Sequence, residues 1–363
     1  MICRTKIDWS QIDDTLDPPA LARAARLRYV SDDEPGFSRR KHQRGFTFID
    51  ANGRAVRQSR ALQRIQSLVI PPAWRDVWIC RFEDGHLQVT GRDEQQRKQY
   101  IYHERWRETS NLAKFRRIFR FGTLLPELRK HVQRELRQRK HNQDKVCALV
   151  LALLDQTSLR VGNEEYVKAN RSYGLTTLRR KHVVLENGDV CLKFRGKSGV
   201  PRCILVQDPR LAKLVLRCRD LPGAHLFTYA KEDGGYDCVN SDDVNRHLRA
   251  LMDESFTAKD FRTWKASAWA AGRLMENNDL TSRSQRNRFV SQVVKQTAEV
   301  LGNTPSVCRQ FYVHPALLES FIEGEFSRYV ARYRARRRRW ISGDEQVLLH
   351  FLRVSEDRAL SSP

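Results

Sequence analysis

A tyrosine stands in the segment Ser306-Val307-Cys308-Arg309-Gln310-Phe311-Tyr312-Val313-His314-Pro315, with Asn303-Thr304-Pro305 just before it. A phenol has a pKa of about 10, so forming the phenolate at neutral pH costs about 4 kcal/mol. Fixed positive charge around a phosphate offsets that cost. A tyrosine close to Arg and Asn in a strongly basic chain is therefore what a nucleophile attacking a DNA phosphate requires. Taken alone, Tyr312 reads equally as a half-buried packing residue.

Four further positions carry suitable chemistry. Arg160, in Leu159-Arg160-Val161-Gly162-Asn163-Glu164, falls inside an apolar pattern that predicts a helix over 146–168. A charge there is costly unless paired or solvated, and a salt bridge to Glu164 four residues on is the plain reading. Lys197 lies in Gly196-Lys197-Ser198-Gly199, a turn between two strands that either projects an ammonium into a groove or leaves it in water. Arg262, in Lys259-Asp260-Phe261-Arg262-Thr263-Trp264, sits where a helix begins, a place suited to phosphate and equally to a surface arginine. Asn303 follows Gly302 at a helix end, an ordinary cap position.

The chain has 363 residues with 66 Lys+Arg against 43 Asp+Glu, a formal charge of +23, and 40% hydrophobic residues. This length and composition predict two or three folded domains, and the charge points to a polyanion, with nucleic acid ahead of an anionic membrane. The opening Met1-Ile2-Cys3-Arg4-Thr5-Lys6-Ile7-Asp8 has no signal core, and the apolar run from Ala148 to Leu154 is too short to span a bilayer. Eight scattered cysteines form no C-x-x-C pair, so they read as reduced thiols of a cytoplasmic protein. The place of a P-loop's first glycine upstream of Gly196-Lys197-Ser198 is taken by Cys191. No ATP site, cofactor or metal site is expected.

The elements that must position these residues fall into two regions. Residues 1 to about 35 read as an irregular or helical lead-in. Phe46–Asp50, Val77–Phe82 and Leu87–Thr90 read as strands, with turns at Asn52-Gly53 and Asp84-Gly85. A short helix over 61–68 stops at Pro71-Pro72. From Trp106 the pattern turns helical, over 106–120, 124–141 and 146–168. A three-stranded meander follows (182–186, 190–195, 203–206), and helices resume over 208–218, 241–254, 260–278 and 284–301. The expected fold class is α+β, with a β-rich domain over 1–104, a larger helical domain with a small antiparallel sheet over 105–325, and a basic extension over 326–363. The Arg332–Arg339 run in that extension either grips phosphates or forms a solvated tail.

The order Arg160, Lys197 on a β-turn, Lys259-x-x-Arg262, then Asn303 nine residues before Tyr312 resembles the type IB DNA topoisomerases, and most closely their compact poxvirus and bacterial branch. Ile70-Pro71-Pro72-Ala73-Trp74, Gly91-Arg92-Asp93, Arg97-Lys98-Gln99-Tyr100, Tyr173-Gly174-Leu175-Thr176-Thr177-Leu178 and Tyr312-Val313-His314-Pro315 support it. The resemblance covers roughly residues 25 to 325.

It implies the tyrosine recombinase/type IB topoisomerase catalytic fold and a C-shaped clamp around double-stranded DNA. It further implies relaxation of supercoils without ATP, through a 3′-phosphotyrosyl link. On this chain Tyr312 would be the nucleophile, and Arg160 and Arg262 would bind the non-bridging oxygens, a task suited to the guanidinium fork. Lys197 would protonate the departing 5′ oxygen, and Lys259 would assist at the same phosphate. Viral members carry histidine where this chain has Asn303, while bacterial members commonly have asparagine; an amide gives oxyanion stabilisation only. Arg92, Lys98, Gln99, Tyr100 and Tyr102 match DNA-contacting positions of the N-terminal domain, although strand alternation alone would also produce that pattern. Gln96 departs from the glycine that relatives often have. A monomer associated with the nucleoid is expected. The alternative is a tyrosine recombinase, which shares the Arg/Lys/Arg/Tyr set but typically shows His-x-x-Arg where this chain has Lys259-x-x-Arg262, and lacks the Pro71-Pro72-Ala73-Trp74 domain.

Overall fold

The computed structural model describes residues 17–42, 45–252, 256–277, 279–334 and 336–361, so most of the expected lead-in, with Cys3, lies outside the described residues. The chain divides into two compact units, residues 1–115 and 116–363. Helix and antiparallel sheet mix as expected, with the larger sheet in the first unit and most helices in the second.

In the first unit, α1 (Pro18–Ala24) opens on Asp17, whose carboxylate accepts from the Ala20 N–H at 3.1 Å, a helix N-cap with proline at the first position. Strands β1 (Phe37–His42), β2 (Gly45–Ile49), β3 (Arg75–Ile79), β4 (Leu87–Arg92) and β5 (Lys98–Tyr102) make an antiparallel sheet in the order β2-β1-β3-β4-β5. Helix α2 (Ser59–Ser67) buries Ile65 against Val77, Ile79 and Val89 of that sheet. Strand β1 was not legible in the sequence, because Ser38-Arg39-Arg40-Lys41 shows no apolar alternation. One of those arginines has a structural task. Arg39 donates to the carbonyls of Ile70, Pro71 and Trp74 at 3.3, 3.0 and 2.6 Å, bracing the Pro71-Pro72-Ala73-Trp74 loop. Trp74 in turn covers Gly91, where a Cβ would lie 2.8 Å from the indole.

Helix α3 (Glu104–Leu136) is one element where two were expected. Pro126 removes a single backbone bond to residue 122. Burial of Phe121, Leu125 and Leu128 on both sides of it holds the helix together. The expected helix over 146–168 is instead two, α4 (Gln143–Thr157) and α5 (Glu164–Asn170). Ser158 stops α4 in the left-handed region at φ 55°, and residues 158–163 leave the helix.

The meander is present as β6 (Val183–Glu186), β7 (Asp189–Arg195) and β8 (Pro201–Leu205), with positive φ at both Asn187 and Gly188 in its first turn. Helix α6 (Pro209–Asp220), a small hairpin of β9 (Thr228–Ala230) and β10 (Tyr236–Cys238), and helices α7 (Ser241–Leu251), α8 (Ala258–Glu276) and α9 (Arg283–Leu301) follow. The chain then forms α10 (Pro305–Phe311), α11 (Pro315–Glu323), α12 (Phe326–Val330) and α13 (Gly343–Ser361). Helix α8 is central. Its Phe261 and Trp264 are buried with Phe121 and Phe256, and Gly122 of α3 leaves room for the Trp264 ring.

The Arg run is an exposed connection and not a tail, since α13 after it packs on α8 through Val347, Leu348, Phe351 and Leu352. Arg129 of α3 fastens α13 by donating to Glu345 at 2.7 and 2.9 Å and to Asp155 of α4 at 2.7 and 2.8 Å. The Trp264 indole N–H donates to the same glutamate at 2.8 Å. Among the described residues no helix is long and apolar enough to cross a membrane.

Candidate active site

Three of the predicted residues meet around one phenol. Tyr312 ends α10, which Thr304 caps and Pro305 opens. Its carbonyl accepts from the Ser267 hydroxyl of α8 at 3.1 Å, and the same hydroxyl accepts from the His314 N–H at 3.0 Å. Ser267 is fully buried, so α8 fixes the backbone on both sides of Val313. Arg262, five residues earlier on α8, lies with its guanidinium carbon 5.0 Å from the Tyr312 ring centre.

Arg262 is no surface arginine, being 2% exposed. It donates to the carbonyls of Ser158 and, at 3.0 Å, Leu301, the ends of α4 and α9. These neutral acceptors orient the fork without cancelling its charge, which acts on the Tyr312 phenol.

Arg160 belongs to the segment between α4 and α5, not to a helix interior, and its partner is not Glu164. That carboxylate faces Arg179 and His225. The Arg160 Nη2 donates to Asn303 Oδ1 at 2.6 Å, and its charge and the Tyr312 phenol act on one another. Its backbone is held by the Tyr173–Leu178 stretch. The Leu175 and Thr176 N–H groups donate to the carbonyls of Arg160 and Val161 at 2.9 and 2.7 Å. Gly162 adopts φ 104°, and Gly174 packs flat against it.

Asn303 occupies the turn after α9. Gly302 is left-handed at φ 61°, its N–H donates to Glu299 at 3.1 Å, and the Asn303 N–H donates to Ala298 at 2.9 Å, a Schellman ending. The expected cap geometry is thus present and also delivers the side chain to Arg160.

Electrostatics follow from this convergence. Burial, the largest influence on Tyr312, pushes the phenol up; Arg262, Arg160 and Lys197 together outweigh it and hold the pKa below the usual 10. Burial first, then Arg262 and Arg202, pull Arg160 down to about 10, which leaves it charged at neutral pH. Lys197 is exposed on the β7–β8 turn, with Ser198 and Gly199 both at positive φ, and is felt by Tyr312. Lys259 is exposed in the first turn of α8.

Two contributors were not foreseen. Ser267 carries no chemical signature, and Arg202 of β8 looks like any strand arginine in a basic chain.

In the first unit, Lys98 pairs with Asp32 at 2.6 Å, and Gln99 donates to Asp93 at 2.8 Å. Arg92 faces Asp76 at 3.9 Å and donates to the Gln96 carbonyl at 3.0 Å. Tyr100 and Tyr102 stack 5.8 Å apart, Tyr100 being 46% exposed. Gln96 adopts φ 59°, which explains why a glycine suits that place. Among the described residues, one group brings metal-binding atoms within 4.8 Å of one another, Glu186, Cys191 and Cys203 on the meander. Lys193 already holds that glutamate.

A half-buried phenol, two guanidiniums, an amide and a nearby ammonium can hold and attack a phosphodiester. Comparison with known proteins agrees. Residues 103–331 match the family described as "Eukaryotic DNA topoisomerase I, catalytic core", and residues 45–93 match "Bacterial DNA topoisomerase IB, N-terminal domain". The "DNA topoisomerase 1B" of Acanthamoeba polyphaga mimivirus is 32% identical over 272 residues, covering 72% of this chain and 80% of the relative. The "DNA topoisomerase 1B" of vaccinia virus (strain Copenhagen) is 24% identical over 280 residues, covering 75% and 85%. The chain belongs to the type IB DNA topoisomerase family.

Proposed function

We propose that Tyr312, Arg160, Arg262, Asn303 and Lys197 carry out the family's reaction in this chain, the ATP-independent relaxation of supercoiled duplex DNA. Tyr312 Oη attacks a backbone phosphorus in line, forming the 3′-phosphotyrosyl ester as the bond to the 5′ oxygen breaks. Arg160 and Arg262 bind the non-bridging oxygens, where their charge counts most in the transition state. Asn303 donates one hydrogen bond to the same oxygens. Lys197 gives the departing 5′ oxygen its proton, and Lys259 assists at the scissile phosphate. The new diester retains the energy of the old one. Strand rotation and attack by the 5′ hydroxyl then restore the duplex.

The observation that carries this reading is the convergence of Arg262 on the Tyr312 ring and of Arg160 on Asn303, with the phenol pKa drawn down by both guanidiniums despite burial. Arg92, Lys98, Gln99, Tyr100 and Tyr102 serve as DNA contacts of an N-terminal domain over residues 1–104, separate from the catalytic domain over 105–325. Residues 326–363 add basic charge through Arg332 to Arg339. The seven cysteines among the described residues are free thiols, which supports a reduced, cytoplasmic setting, and the charge of +23 supports residence on the nucleoid. The protein acts as a monomer, since one chain supplies every proposed catalytic group.

Tyr312→Phe tests the assignment. Covalent capture of DNA should disappear while non-covalent affinity stays within about threefold, the change expected from losing one hydroxyl's hydrogen bond. Relaxation by that variant would refute the nucleophile.

A further inference from the structure

Arg202 is a guanidinium beside this site that takes no part in the proposed reaction steps. It lies half-buried on β8 and joins the two parts of the site that carry Lys197 and Asn303. Its side-chain stem lies against Gly196, where a Cβ would sit 3.2 Å from Arg202 Cγ. Its guanidinium covers Gly302, where a Cβ would fall 2.1 to 2.5 Å from its terminal atoms. Both glycines leave the space that this arginine fills. Its charge is felt by Arg160, and it feels Arg262 in turn. Burial, then Arg262, lowers its own pKa, with no carboxylate acting against them.

Holding a half-buried cation against two others without a counter-ion is unfavourable unless an anion arrives. The same side chain lines a cleft of about 700 Å³ on the meander, shared with Arg171, Lys181, Lys193 and Arg195. Lys193 has Glu186 as its partner. No carboxylate lines the cleft. A cleft lined by cations beside the site matches the sign of a phosphate backbone.

We propose that Arg202 binds a backbone phosphate flanking the scissile one and is the first station of a phosphate track continued by Arg195, Arg171 and Lys181. The inference rests on the active site proposed above. A guanidinium fork suits this task, and its stem tethers the Lys197 turn to the Asn303 turn at the same time.

The test compares Arg202→Ala and Arg202→Lys in the Tyr312→Phe background, where binding is measured without cleavage. Thermal unfolding checks that each variant is folded. Arg202→Ala should weaken duplex binding by on the order of tenfold, as expected for one charge-assisted contact. It should also flatten the logarithmic salt dependence by about 1, and Arg202→Lys should restore the slope. A single neutral methylphosphonate next to the scissile position should weaken the parent enzyme and leave Arg202→Ala unaffected.

All these results together support the track. An unchanged salt slope, or an equal penalty from every adjacent methylphosphonate in both proteins, overturns it while leaving the active site intact. Covalent capture surviving in Tyr312→Phe strikes the active-site assignment instead.

Discussion

Arg160 and Asn303, 143 positions apart in the chain, meet at 2.6 Å with the guanidinium donating to the amide oxygen. Because arginine has no acceptor, this contact orients the amide. Oδ1 is taken, and Nδ2 remains buried with no protein acceptor. The amide is therefore left as a pure donor beside a phenol and two guanidiniums, the arrangement an oxyanion requires.

Removing that donor should be costly. Asn303→Ala is expected to slow single-turnover cleavage by about 10²–10³-fold, as for other oxyanion donors. Asn303→Asp should be slower still, since a carboxylate would neutralise Arg160 and repel the phosphate. Asn303→His keeps a donor and should fall between alanine and the parent. An aspartate variant as fast as the parent would remove Asn303 from the site.

Lys197 acts from a tight turn. The Gly196 N–H donates to Val200 at 2.8 Å, the Gly199 N–H donates to Gly196 at 3.0 Å, and the lysine itself is exposed. Lys197→Ala should lower cleavage by about 10²–10⁴-fold, the usual reach of general acid catalysis. A substrate with sulfur at the 5′ bridging position leaves without needing a proton and should recover most of the loss. If sulfur gives no recovery, Lys197 is not the acid.

Much of this was legible because turn chemistry is local. Asn187-Gly188 and Gly196–Gly199 fix the meander that presents Lys197, and Gly302-Asn303-Thr304-Pro305 spells a helix end, a cap and a new start. The break between α4 and α5 was hidden because Leu159 and Val161 continue the apolar pattern past Ser158. Arg160 therefore read as a helical charge and its partner as Glu164. Arg262 read equally as a phosphate ligand and as a surface residue because the neutral acceptors that bury it are carbonyls of Ser158 and Leu301, distant in sequence. Ser267 and Arg202 act through packing and tertiary hydrogen bonds, which no spacing encodes.

The fastening of α13 should be sensitive to acid. Burial alone would raise the Glu345 carboxyl, but Arg129, with help from Ser342 and Trp264, holds it near about 2 against an ordinary 4.5. A depressed folded-state pKa stabilises the fold above the unfolded value and loses that contribution as pH falls through the folded one. The parent's urea midpoint should therefore drop between about pH 4.5 and 2. Glu345→Gln should flatten that segment and cost about 3–5 kcal/mol at neutral pH by leaving Arg129 short of a partner. Equal midpoints for the two proteins at neutral pH would show that the network contributes nothing.

The position of Arg160 depends on a glycine that needs no unusual backbone. Gly174 has φ −127°, open to any residue, so its constraint is steric. A Cβ there would lie 2.5 Å from the Gly162 backbone and 2.7 Å from the Arg160 carbonyl oxygen. The chain cannot yield cheaply, because the Leu175 and Thr176 N–H groups are bonded to that same segment. Gly174→Ala should push residues 160–162 outward, costing about 1–3 kcal/mol of stability. It should also slow cleavage by about 10²-fold, the effect of a displacement near 1 Å at a reacting centre. Gly188→Ala is the matched control, placed at φ 89° in an exposed turn of the same domain with no atom within 4 Å of the added carbon. It should lose stability through backbone strain and cleave normally. Normal cleavage by Gly174→Ala would mean that the Tyr173–Leu178 stretch does not position Arg160. A deficit confined to Gly174→Ala ties this glycine to catalysis through the backbone it presses on.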